Sequence, residues 1–116
     1  MIKFPYSKPE ITKSDIAKVT GVMKKGYLTQ GSEIKAFESD IQKIFKSKYS
    51  TICNSGTAAL HLVYSALGLG PNKGLLTTPI TFLATANAAR MCNAQVVFCD
   101  VDPETGLMTA ELIEKA

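Results

Sequence analysis

The sequence predicts an α/β fold built on a mostly parallel sheet, and three features carry that prediction. From Tyr49 onward, short apolar runs alternate with helical segments at the spacing of strand–helix–strand crossovers. The run at residues 51–53 stops at the small polar residues Asn54, Ser55, Gly56 and Thr57. An Ala/Leu-rich segment follows and closes at Gly68, which reads as strand, tight turn, helix. Ahead of this region, residues 12–45 show helical periodicity with one apolar face each, as expected of helices laid on a core.

Residues 1–10 contain two prolines and no clear period, so they read as an extended arm from which Tyr6 could reach a ligand or simply pack. Thr12 and Asp15 have the spacing of a capping box, opening a helix to Lys25 that Gly26 stops. Ile16, Val19 and Met23 are expected to form its buried stripe. Residues 26–31 (GYLTQG) make a glycine-bracketed loop, a common place for function. Ser32 is expected to cap a second helix whose apolar positions are Ile34, Phe37, Ile41, Ile44 and Phe45. Beyond it, the expected strands are 49–53, 74–78 and 95–101, and the expected helices are 57–68 and 81–91. The helix at 57–68 is apolar on most faces and should be buried. Residues 102–106 form a turn, and a further helix begins at Thr109. Three parallel strands with this little cover leave an unpaired edge and a bare face, so the chain reads as a truncated piece of a larger α/β domain.

The bulk numbers exclude several classes. A chain of 116 residues is one domain at most, and 46% hydrophobic with 20% charged residues is ordinary globular composition. A net charge of +3, dispersed along the chain, gives no basis for nucleic-acid binding. No stretch has the length of a membrane span, and the first residues do not open a signal peptide. The three cysteines, Cys53, Cys92 and Cys99, form no C-x-x-C pair, so neither a disulfide framework nor a zinc site is expected, and a cytoplasmic location is the default.

The turn at 54–57 is the candidate site. A helix start has unpaired N–H groups and the positive end of the helix dipole, which together favour an anion such as phosphate. Gly56 admits close approach to the backbone, and the Ser55 and Thr57 hydroxyls add donors. The plainer alternative is that Ser55 or Thr57 only caps an ordinary helix. Neither a G-x-G-x-x-G dinucleotide fingerprint nor a Walker A loop is present. Phe82 is expected at the same edge of the sheet, where a flat phosphorylated ring could stack on it. Core filling is its other reading.

Residues 26–31 (GYLTQG), 54–60 (NSGTAAL), 78–88 (TPITFLATANA) and 96–102 (VVFCDVD) resemble, in order and spacing, the DegT/DnrJ/EryC1/StrS sugar aminotransferases. The 77–87 wording is most similar to members serving pseudaminic acid biosynthesis. The resemblance implies the N-terminal part of the large domain of a fold-type I pyridoxal 5′-phosphate (PLP) enzyme. Within it, residues 1–48 would be an arm and two helices, and residues 49–116 a βαβαβα segment. It implies a homodimer moving an amino group from glutamate to a keto sugar nucleotide, for surface-polysaccharide or nonulosonic acid biosynthesis. On the matching positions, Gly56, Thr57 and Ala58 would hold the cofactor phosphate and Phe82 would stack on the pyridine ring. Tyr6, Leu28 and Thr29 would lie near the sugar. The family's Schiff-base lysine lies beyond Ala116, so this chain alone is expected to be inactive. A PLP-dependent sugar dehydratase of the same fold and a non-catalytic phosphate-binding module remain the alternatives.

Overall fold

Local capping rules set the start of the first helix in the computed structural model, which describes residues 7–116. These fall into two units, one running to Thr51 and the other Ile52–Ala116. In the first, α1 (Lys13–Lys25) begins with a complete capping box. The Asp15 carboxylate accepts from the Thr12 amide at 2.8 Å and from its hydroxyl at 2.7 Å, while the Thr12 hydroxyl accepts from the Asp15 amide at 3.2 Å. Two otherwise orphaned donors are satisfied in this way. Gly26 ends the helix at φ 75°, a left-handed conformation that costs glycine nothing.

The second helix, α2 (Ser32–Phe45), corrects one expectation: Gly31 is its N-cap and Ser32 its first helical residue, with no side-chain cap. It ends at Lys46 in the left-handed region, and the Ser50 hydroxyl ties the following chain back to the Glu38 carbonyl at 2.7 Å. The expected buried stripes are also corrected. Ile16, Val19 and Met23 of α1 are exposed, as are Ile34, Phe37, Ile44 and Phe45 of α2, and only Ile41 is half-buried. Periodicity says which face is apolar; burial needs a second element on that face, and none of the described residues supplies one.

Residues 49–53, which span the boundary between the two units, are not a strand. A strand exists only through its ladder, and the sheet contains only β1 (Gly74–Thr77) and β2 (Gln95–Phe98) among the described residues. These pair in parallel, Gly74 opposite Gln95 through Thr77 opposite Phe98, as the crossover spacing requires. The second strand is shorter than the expected 95–101. The Cys99 amide makes the last link to the Thr77 carbonyl at 2.8 Å, after which the Asp100 carboxylate accepts from the Val101 amide and the chain turns away.

Helix α3 (Gly56–Ala66) lies close to its expected span, and Gly68 follows it at φ 68°. Helix α4 (Ala84–Met91) starts later than expected, because the Thr78 hydroxyl accepts the Ile80 amide and holds a turn ahead of it. A short α5 (Ala110–Lys115) is capped by Thr109. The core is built on α4, which packs against both strands and against α3. Ala84, Ala88, Ala89, Ala94, Cys99 and Thr77 are buried, small side chains that let backbones come close. Helix α3 is less buried than its composition suggests: Leu62 and Val63 are exposed and none of its residues is fully buried.

Candidate functional site

The first turn of α3 leaves specific donors open. Of the four amides this helix start orphans, those of Ser55, Gly56, Thr57 and Ala58, the Ala58 N–H is used internally, donating to the Ser55 hydroxyl at 3.2 Å, while the Ala59 N–H makes the first regular helix bond to the Ser55 carbonyl at 3.0 Å. The amides of Gly56 and Thr57, and the Thr57 hydroxyl, have no partner among the described residues. Ser55 is therefore the N-cap, in extended backbone conformation. Among the described residues nothing beyond its chain neighbours and its own helix comes within 4 Å of where a Cβ on Gly56 would sit, so the approach to these amides is open.

Charge reinforces the opening. Helices α1, α2 and α5 each carry an acidic residue in the first turn, Asp15, Glu33 and Glu111, which offsets the positive end of the dipole; α3, like α4, has none. Its amino terminus is left to attract an anion from outside.

A cavity of about 490 Å³ gathers the rest. Gly56 and Thr57 stand on it together with Phe82, and Ala59, Leu60, Val63 and Ala84 make the remaining wall apolar. Phe82 precedes α4 and is 79% exposed, so it is presented outward rather than buried as core filling. Of the five α3 positions on the cavity, Ala59, Leu60 and Val63 share a face with Gly56 at spacings of three, four and seven, a pattern readable in the sequence once the turn is chosen as the site. Chemically, the arrangement offers amide and hydroxyl donors at one end and an aromatic, apolar surface beside them. That suits a flat ring carrying a phosphate.

The other sequence-predicted residues fall elsewhere. Ala58 does not line the cavity, and its amide is engaged by Ser55. Leu28 and Thr29 are exposed in the loop of the first unit, where a cavity of about 320 Å³ is lined instead by Tyr27, Gln30, Lys25 and the start of α2. Tyr6 lies outside the described residues. His61 is half-buried within α3. Asp102 is a turn-former: its carboxylate accepts from the Thr105 amide (2.8 Å) and hydroxyl (2.9 Å) and the Glu104 amide (3.1 Å). The Thr105 bonds, backbone first, hold its pKa below the ordinary carboxylate value. Every described lysine is exposed, and none lines the cavity at α3.

The sequence and fold match those of known proteins. The UDP-4-amino-4,6-dideoxy-N-acetyl-β-L-altrosamine transaminase of Campylobacter jejuni is 45% identical over 96 residues, 83% of this chain and 25% of the transaminase. The spore coat polysaccharide biosynthesis protein SpsC of Bacillus subtilis is 39% identical over 101 residues, 87% of this chain and 26% of SpsC. A sugar aminotransferase of Streptococcus pneumoniae, solved in its PLP form, matches with a TM-score of 0.90 at 28% identity, over 97% of this chain and 29% of that one. The chain thus spans about a quarter of the length of the curated relatives it matches. The fold is that of the PLP-dependent aminotransferases. With the family model matching residues 9–116, the chain belongs to the DegT/DnrJ/EryC1/StrS aminotransferase family.

Proposed function

We propose that these residues form the N-terminal part of the PLP-binding large domain of a sugar-nucleotide aminotransferase, with the α3 turn as its cofactor-phosphate site. In this reading residues 1–48 are the arm and first two helices, and residues 49–116 the segment that carries the cofactor. One observation carries it: the open Gly56 and Thr57 amides and the free Thr57 hydroxyl share a cavity with an outward-facing Phe82. The residues fit the group. Gly56 and Thr57 would hold the phosphate, Phe82 would lie against the pyridine ring, and the apolar α3 wall would keep water from it. The cofactor, when bound, supplies the electron sink and the amino-group carrier.

The reaction proposed is transfer of an amino group from glutamate to a keto sugar nucleotide, in surface-polysaccharide or nonulosonic acid biosynthesis. The Campylobacter relative's name supports a UDP-linked amino-dideoxy sugar, and the Helicobacter pylori aminotransferase PseC of pseudaminic acid biosynthesis, 31% identical with a TM-score of 0.84, supports a place in that synthesis. Tyr6, Leu28 and Thr29 are proposed to serve the sugar, and Ala58 to take part in the phosphate site through its place in the turn, its amide being held by Ser55. The protein is proposed to act in the cytoplasm as a homodimer. Since no described lysine approaches the cavity, these 116 residues by themselves are proposed to bind cofactor without turnover. The test is titration with pyridoxamine 5′-phosphate (PMP), which has no carbonyl and binds without a covalent bond. Saturable binding is expected, at least tenfold tighter than that of pyridoxamine, which lacks the phosphate. Equal affinities for the two would refute the phosphate site, and glutamate-dependent turnover by the isolated 116 residues would refute the inactivity.

A further inference from the structure

Ser55 makes more internal bonds than any neighbour in the turn. Its hydroxyl oxygen accepts the Ala58 amide, its carbonyl accepts the Ala59 amide, and the same carbonyl accepts the Cys53 thiol at 3.3 Å. All three fix the backbone on either side of Gly56 and Thr57, whose amides have no partner among the described residues. The geometry points to Ser55 as a positioning residue for the cofactor phosphate: by engaging the Ala58 amide through its hydroxyl and fixing the start of α3 through its carbonyl, it leaves the Gly56 and Thr57 amides as the pair that receives the anion. This rests on the cofactor reading proposed above.

The physical reason is preorganisation. A helix whose N-cap is lost frays in its first turn, and the two amides then converge on one point for only part of the time. Apparent affinity falls in proportion to the fraction of molecules with the turn in place. A cap of typical strength corresponds to a fall of about fivefold, and a strong one to about thirtyfold. The loss is confined to ligands bearing phosphate, because Phe82, which would hold the ring, stands on the α4 side of the cavity and not on the α3 turn.

The experiment uses the protein produced from its whole coding sequence and compares PMP with pyridoxamine, well below the melting temperature. Ser55→Ala is expected to weaken PMP by about fivefold or more while leaving pyridoxamine unchanged, so that the ratio of the two affinities falls. Ser55→Thr, which keeps the hydroxyl, is expected to restore the ratio. A merely structural cap would lower the melting temperature in Ser55→Ala with the ratio unmoved, and that result overturns the inference while leaving the cofactor site intact. Failure of Ser55→Thr to restore the ratio, with its fold intact, also overturns it. Wild-type protein that binds PMP no tighter than pyridoxamine overturns the cofactor reading, and this inference with it.

Discussion

Replacing Thr57 with valine isolates the hydroxyl from everything else at the site. Valine keeps the β-branched shape and the helix start, and exchanges only the oxygen for a methyl group. That oxygen has no partner among the described residues, so its removal leaves no donor or acceptor of the chain unsatisfied. Stability should therefore stay within about 0.5 kcal/mol of wild type. Toward a phosphate dianion the same hydroxyl makes a charge-assisted hydrogen bond worth about 1.5–3 kcal/mol. At about 1.4 kcal/mol per factor of ten, PMP should bind roughly 10- to 150-fold more weakly. Binding should not vanish, since the Gly56 and Thr57 amides remain. The assay is an absorbance or fluorescence titration with PMP, run beside pyridoxamine and a thermal melt. A Thr57→Val protein with unchanged PMP affinity would refute the assignment of this hydroxyl. A weakening shared equally by pyridoxamine would place its effect on the ring instead of the phosphate.

Other perturbations separate the roles further. Phe82→Ala removes an exposed ring, so the melting temperature should hardly move, while PMP and pyridoxamine should both weaken, by about 2- to 12-fold for a lost stacking contact of 0.5–1.5 kcal/mol. Loss for PMP alone would contradict a stacking role. Gly68→Ala forces a Cβ into left-handed backbone at φ 68°, 3.4 Å from the Lys73 amine, and should cost about 1–2 kcal/mol in denaturant unfolding. Unchanged stability would mean the α3 exit differs from that described. Asp102 has a folded pKa lowered by its bonds from Thr105 and Glu104. Its contribution is therefore present above the ordinary carboxylate pKa and is lost as pH falls through the lowered value. An NMR titration should show the Asp102 carboxyl and Thr105 amide moving together below that ordinary value; independent titration would remove the link.

Much of this was legible in the residues because the governing interactions are local. Thr12 and Asp15 lie one helical turn apart and can only meet as a capping box, Gly26 and Gly68 mark helix ends by their backbone freedom, and the 54–57 turn announces a helix start with donors to spare. The parallel pairing of residues 74–77 with 95–98 follows from the length of the segment between them. What required the tertiary structure was every property that depends on a second partner. Sequence could not say whether Ser55 or Thr57 was the cap, because both offer a hydroxyl at the right distance along the chain; backbone geometry chose Ser55 and so freed Thr57. Nor could it separate an outward Phe82 from a buried one, since an aromatic near a helix start serves either end. The apolar stripes of α1 and α2 and the extended run at 49–53 show the limit: pattern gives a segment its conformational preference, but burial and strand pairing are relations between segments, and they exist only where another segment meets that face or edge.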